Sequence, residues 1–439
     1  MVVPLAAIPR PGEHGRVRDA PAALELEIER LTFGPDALAH DGGQVVFVAH
    51  AAPGDRVRAR VVERRRGYVR AETVAVDRPG PSRVAPPCPA FGRCGGCQWQ
   101  HVDVVAQRDA KAAIVAEQLA RLGGLRDAAV RPTIAGGSAW AYRSRITLVA
   151  EGRRLGFHAA GSHRLEPIET CAIAAPPLEA HLPIARAWVA RMRATVLRVT
   201  LAVAPGGVVL VAMMRGRPGP ADVAATETLL AQQATVRGAI LCGAGARVGV
   251  GDATVRQEIE SGLALEVPAD VFTQVNSEAN QALVRTIVDA GDFADGARVL
   301  DLYCGAGNLS LPLARRGAEV TGIERSPVAI RAAQANAARL GIARARFVAG
   351  DVATALESGD APRVDGVVLD PPRTGAAPAL AGIVARRPAR IVYVSCDPAT
   401  LARDVRALVA HGYALHFAQP IDLFPQTYHV ETVALLGLT

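Results

Sequence analysis

At 439 residues, half of them hydrophobic, the chain exceeds one ordinary domain and holds material for two or three cores. No apolar run approaches the ~20 residues that span a bilayer, and the N-terminal segment lacks the charged-then-apolar order of a secretory signal. A membrane protein is therefore not expected and a cytoplasmic location is; the formal charge of +7 is almost wholly arginine, Lys111 being the sole lysine.

Residues 1–21, rich in Pro, Gly and charge, read as a loose tail. From Leu24 to about Val76 short alternating runs (Leu24 to Ile28, Gln44 to Val48, Arg56 to Val62, Tyr68 to Val74) are separated by turns such as Ala52-Pro-Gly-Asp55, the pattern of a small curved barrel. Arg56, Arg58, Arg60, Arg64, Arg65, Arg66 and Arg70 cluster there, which fits either attraction to phosphates or a solvated strand face. Pro79-Gly-Pro81 and Pro86-Pro87 mark a linker. A cysteine-rich loop follows, then a helical stretch from about Val104 to Leu122. Residues 140–265 carry an α+β pattern with one helix near 177–193, and Phe272 to Ala290 reads as a further helix. Beyond it, strands near 298–303, 319–324, 345–349, 365–370 and 390–395 alternate with helices, which implies a parallel, doubly wound sheet. Two last strands near 413–419 and 430–436, with no helix between them, are expected to close that sheet as an antiparallel pair.

The chemistry concentrates at the strand ends of this sheet. Val299-Leu-Asp-Leu-Tyr-Cys-Gly-Ala-Gly-Asn308 is a strand running into a glycine turn, where Gly305 and Gly307 permit close approach of a ligand. Glu324 ends the next strand, where a carboxylate accepts both ribose hydroxyls, and Asp351 ends the one after. Position 310 is serine, not the third glycine of a dinucleotide fingerprint, so S-adenosylmethionine outranks NAD. Asp370-Pro-Pro-Arg373 stiffens the fourth strand end; in isolation it reads as a turn with a solvated arginine.

Cys396 lies in Ser395-Cys-Asp-Pro398, at the end of the fifth strand and the start of a helix capped by Asp397. A helix N-terminus stabilises a thiolate, so a nucleophile is favoured over a buried structural cysteine. Glu431, in His429-Val-Glu431, is a candidate general base, although a solvent-facing glutamate is the plainer reading of it alone. Cys242 and Cys304 read as packing residues.

Seven cysteines in such a chain argue for metal or catalysis over a disulfide framework. Cys88, Cys94 and Cys97 form C-x5-C-x2-C, with Cys171 distant. Three ligands in one loop plus one remote residue suit a cubane iron–sulfur cluster, with zinc as the competitor.

Together these segments resemble the iron–sulfur-containing RNA uracil-5-methyltransferases, particularly the branch acting on large-subunit ribosomal RNA. The resemblance covers most of the chain. It rests on Cys-Pro-x-Phe-x-x-Cys-Gly-Gly-Cys from Cys88, Phe272-Thr-Gln-Val-Asn276, the glycine turn, Asp370-Pro-Pro-Arg373, Ser395-Cys-Asp-Pro398 and His429-Val-Glu431, in the family's order. Tyr303 stands where phenylalanine is frequent, and Asp351 where asparagine also occurs. The family implies an α/β fold: a TRAM barrel at 22–80, a central cluster-bearing α+β domain at 84–265, and a class I methyltransferase domain at 266–439.

By the same resemblance, Gln274, Tyr303, Asn308, Glu324, Asp351 and Asp370 surround S-adenosylmethionine and the target base. Cys396 is the nucleophile, Glu431 the base, and Cys88, Cys94, Cys97 and Cys171 hold a structural 4Fe-4S cluster. The expected reaction is methylation of carbon 5 of a uridine in 23S ribosomal RNA. A transfer RNA substrate and a non-catalytic iron–sulfur RNA-binding factor are the alternatives. Arg143 and Arg145 are expected, with the barrel arginines, to grip phosphates. A monomer without membrane or DNA partners completes the expectation. A radical methylthiotransferase is set aside, because it wants C-x3-C-x2-C.

Overall fold

The computed structural model describes residues 23–357 and 364–439. The 1–21 tail lies outside the described residues. In the N-terminal unit six strands hydrogen-bond in the order Ala23–Glu27, Arg56–Arg64, Tyr68–Arg78, Gln44–Ala49, Asp36–Asp41, Arg30–Leu31. Alternation dictates this: along Arg56–Arg64, Val57 and Ala59 point inward while Arg56, Arg58 and Arg60 face solvent. Trp99 and Ile114, from the segments that follow, complete the apolar interior.

The exposed arginines are largely neutralised from within. Arg58 pairs with Asp77 at 3.1 Å, Arg60 with Glu72 at 2.7 Å and Arg65 with Glu63 at 2.6 Å, and Arg70 lies 3.9 Å from Asp36. Among the described residues, Arg56, Arg64 and Arg66 remain without an ion pair, so the surface offered to phosphates is smaller than the run of seven implied.

The middle unit is a seven-stranded sheet in the order Leu165–Pro167, Arg154–His158, Arg145–Glu151, Thr195–Ala204, Gly207–Arg215, Val236–Gly243, Ala246–Gly251. The single helix expected near 177–193 is two, Pro176–Ala180 and Leu182–Arg191. Pro183 has no N–H to continue the first ladder, and His181 turns its Nδ1 onto the Pro177 carbonyl at 2.7 Å. Trp188 is buried in the core beneath and donates its indole N–H to Thr226 at 3.1 Å.

The C-terminal unit is an eight-stranded sheet, in order Ala345–Ala349, Glu319–Glu324, Arg298–Leu302, Gly366–Leu369, Arg390–Ser395, Glu431–Leu438, Tyr413–Asp422, Ile134–Ala135. The first five strands run parallel. Glu431–Leu438 is antiparallel to both neighbours, as expected, but the edge strand Ile134–Ala135 comes from far earlier in the chain.

The helix expected from Phe272 starts only at Ser277 and runs to Gly291. Asn276 caps it, its side chain accepting from the Ala279 N–H at 3.1 Å, which leaves Phe272 to Asn276 as a non-helical approach. Helix Val104–Arg121 begins at an Asp103 cap and packs on the C-terminal sheet and on helix Pro398–Val409.

Candidate active site

The glycine turn is built by backbone. Tyr303 takes the left-handed conformation at φ +66°, and its N–H and that of Cys304 both donate to the Ile323 carbonyl, at 2.9 and 3.1 Å. That is a strained place for a tyrosine, held because two adjacent strands clamp it. Gly305 follows at φ +54°, and a side chain there would meet nothing within 4 Å, so open space lies over this backbone. Gly307, at φ +93°, would bring a Cβ to 3.1 Å from Leu311, so both conformation and packing require glycine.

Around this cradle Asn308 exchanges amide hydrogen bonds with Asn280, both at 2.9 Å. Glu324 accepts from the Ser326 N–H at 2.7 Å, which fixes one carboxylate oxygen. Asp351 accepts from the Thr354 N–H at 3.2 Å as the cap of a short helix. Gln274 is buried, its carbonyl accepting from Gln257 at 2.6 Å. A left-handed turn beneath open space, flanked by strand-end carboxylates, fits S-adenosylmethionine.

Asp301 carries a role that its sequence position did not announce. It is wholly buried, accepts from Ser310 Oγ at 2.5 Å, and leaves Oδ1 unpaired. Burial, with Asp370 and Glu324 adding repulsion, pushes it up to about 7. It supports the turn from below.

Cys396 stands where the Arg390–Ser395 strand meets helix Pro398–Val409, and Asp397 caps that helix through the Ala399 and Thr400 N–H groups at 3.0 and 2.9 Å. The expected lowering of the thiol pKa is overturned. Burial first, then the Glu431 carboxylate and more weakly Asp370, push it up to about 11, while Arg373 opposes them through charge and a hydrogen bond. A helix terminus supplies only a fractional charge, and here two carboxylates face the sulfur.

Those carboxylates crowd each other as well. Asp370 is pushed up to about 7 by burial, and Glu431 is raised well above its ordinary value by burial and by Asp370. Glu431 is 3% exposed and its Oε1 has no partner, so the solvent-facing reading fails and a buried, raised-pKa acid stands in its place. Arg373 also reaches His429, whose Nε2 lies 3.3 Å from Nη2. Burial and the positive charge of Arg373 lower that imidazole to about 4, so it is a neutral acceptor.

A web that sequence reasoning missed locks these strand ends together. Asp404 accepts from Tyr393 Oη and the Ala376 N–H, both at 2.7 Å, and from Arg403 at 2.8 Å. The turn after Asp370-Pro-Pro-Arg373 is thereby tied to the helix behind Cys396. The only local signal is an acid mid-helix at a core-facing position.

Cys88, Cys94, Cys97 and Cys171 line one cavity of about 580 Å³, all as free thiols. Burial first, with the neighbouring thiols adding to it, pushes Cys94 up to about 11 and Cys97 up to about 12. Among the described residues no three His, Cys, Asp or Glu side chains stand close enough to hold one metal ion. The four thiols therefore share one cavity without standing in reach of a single ion. Arg143 and Arg145, expected to grip phosphates, line this same cavity. Arg145 donates to the Val271 carbonyl at 2.9 Å, with its Nε and Nη2 buried and unpaired.

Comparison with known proteins decides the family. A family model described as tRNA (uracil-5-)-methyltransferase matches residues 254–438, and the TRAM domain model matches residues 22–74. The 23S rRNA (uracil(1939)-C(5))-methyltransferase RlmD of Shewanella baltica is 33% identical over 95% of this chain and 96% of its own. The chain belongs to the RNA uracil-5-methyltransferase family. An RNA methyltransferase of Thermosynechococcus vestitus is 36% identical over 94% of this chain and 98% of its own. The crystal structure of Pyrococcus abyssi tRNA (uracil-54, C5)-methyltransferase with S-adenosyl-L-homocysteine superposes with a TM-score of 0.71, at 22% identity, over 94% of this chain and 100% of that one. This RNA uracil-5-methyltransferase is thus an S-adenosylmethionine-dependent enzyme, with a TRAM domain ahead of its doubly wound domain.

Proposed function

We propose that the chain methylates carbon 5 of one uridine in 23S ribosomal RNA through a covalent adduct on Cys396. The observation that carries this is the convergence of Cys396, Asp370, Arg373 and Glu431 at adjoining strand ends, beside the glycine turn. Full-length similarity to the RlmD relatives supports the ribosomal substrate.

Carbon 5 of uracil is a weak nucleophile. The Cys396 thiolate adds to carbon 6, and the C5=C6 π pair becomes an enolate with its density at carbon 5. Arg373 stabilises the thiolate beforehand by charge and hydrogen bond. S-adenosylmethionine, when bound, supplies an electrophilic sulfonium methyl. Carbon 5 takes that methyl, Glu431 as carboxylate removes the carbon 5 proton, and the C–S bond breaks as C5=C6 reforms. Glu431 therefore has to be ionised for the last step, and its raised pKa makes it a stronger base once it is.

The target leaves its stack to reach this site, which is least costly in an RNA loop. The TRAM domain, with Arg56, Arg64 and Arg66 unpaired, supplies phosphate contacts. Cys88, Cys94, Cys97 and Cys171 would hold a 4Fe-4S cluster, which supplies a fixed scaffold for the loop between the barrel and the middle unit. We assign the units as 22–80, 84–265 and 266–439, with helix Val104–Arg121 lying on the last.

Tritium release from RNA labelled at carbon 5 of uridine tests this, on unmodified ribosomal and transfer RNA separately. Release from 23S RNA alone is expected. Release from transfer RNA alone, the substrate printed for the matching family model, would redirect the assignment.

A further inference from the structure

Between the Tyr413–Asp422 and Glu431–Leu438 strands lies a stretch without regular structure that bears Tyr428 and His429 and ends on Glu431. It is held by residues about three hundred positions earlier. Gln107 Nε2 stands 3.0 Å from Gln426 Oε1, and the Gln426 N–H donates back to Gln107 Oε1 at 2.9 Å. The same Gln107 amide reaches the Trp99 and Val102 carbonyls at 3.0 and 2.8 Å. The Gln98 and Trp99 N–H groups both donate to the Gln426 carbonyl at 3.0 Å.

Gln426 sits in the left-handed region at φ +69°, a costly place for a glutamine unless its surroundings hold it. One turn further along the helix, Lys111 binds Asp422 and the Phe424 carbonyl, at 2.6 and 3.0 Å. Val115 and Leu119 then pack on Val430, the residue before Glu431. The anchors of Gln426 itself thus lie on Gln98, Trp99 and helix Val104–Arg121, and Gln98 directly follows Cys97. Elsewhere on the stretch Tyr142 Oη donates to the Pro425 carbonyl at 3.1 Å and Asn276 Nδ2 to that of Leu423 at 3.3 Å.

We propose that Gln107 and Gln426 form a positioning clamp for Glu431, through which the cysteine loop sets the rate of proton removal from carbon 5. The clamp rests on the reading of Glu431 as the base. The hydrogen bonds of the pair run to Gln98, Trp99 and Val102, not to the Arg390–Ser395 strand or the helix Pro398–Val409 that flank Cys396. Loosening the clamp therefore slows the last step without slowing thiol addition or methyl transfer.

The test uses the full-length holoprotein and two variants. Gln426→Asn keeps an amide that tolerates left-handed backbone but falls one methylene short of Gln107; Gln107→Leu removes the partner outright. Each is given 5-fluorouridine RNA, whose fluorine cannot leave as a proton, and ordinary RNA. The clamp requires denaturation-stable adduct on the fluorinated RNA to form within about twofold of wild type. On ordinary RNA, adduct persists and turnover falls about tenfold or more, the scale of a mispositioned catalytic group. Unchanged turnover in both variants overturns the proposal. So does an equal slowing of fluorinated-adduct formation, which would mark general destabilisation. Absence of that adduct in the wild type overturns instead the Cys396 reading beneath it.

Discussion

Lys111 and Asp422 form an ion pair at 2.6 Å with both side chains out of water, joining helix Val104–Arg121 to the strand that pairs with Glu431. Burial depresses the ammonium pKa and Asp422 restores part of it. A surface pair would contribute little, but a buried charge robbed of its partner is expensive. Lys111→Met should lower unfolding free energy by about 3–5 kcal/mol. Lys111→Met with Asp422→Leu should recover much of that in chemical denaturation. A double variant no more stable than the single one would show that the pair is not what holds the helix.

Cys396 should alkylate slowly at neutral pH. Thiolate is the reactive form and the thiol is pushed up to about 11, so the rate with iodoacetamide rises with pH until that region. Arg373→Met removes a lowering charge and should move the midpoint higher; Asp370→Asn removes a raising one and should move it lower. Peptide mass spectrometry at Cys396 gives the profile. A midpoint near 8 in the free protein would contradict this environment.

Glu431→Gln keeps the shape of the site but cannot accept a proton. Methyl transfer should proceed and elimination should stall, so methylated RNA stays bound to Cys396 on a denaturing gel. Turnover should fall by roughly 10²–10⁴, the usual contribution of a positioned base. Normal turnover would assign proton removal elsewhere.

Cys171→Ser deletes the one cysteine of the cavity that lies outside the 88–97 loop. Iron and acid-labile sulfide should both drop sharply in protein purified without oxygen. Full iron content would exclude Cys171 as a ligand, and zinc in its place would exclude the cluster.

The strands of the catalytic sheet were legible because each is a short apolar run between turn residues, from Arg298–Leu302 to Glu431–Leu438. Helix Ser277–Gly291 was legible in kind but not in its start, since the Asn276 cap competes with a helical reading of Phe272. The break at His181 was hidden by apolar periodicity that continues across it. Glu431 read poorly alone, because alternation cannot say which face of an end strand a second layer covers.

Order and spacing of residues by themselves determined the element sequence, the glycine turn, the four-cysteine set and the identity of Cys396 as the candidate nucleophile. These are local properties, carried by backbone preference and by side-chain type within a few positions. Tertiary structure alone decided that Asp370 and Glu431 share the thiol's surroundings, that Arg373 opposes them, and that Gln107 and Lys111 grip the approach to Glu431. Burial and Coulomb energy sum over neighbours in space, and such neighbours lie as far as 319 positions apart in the chain.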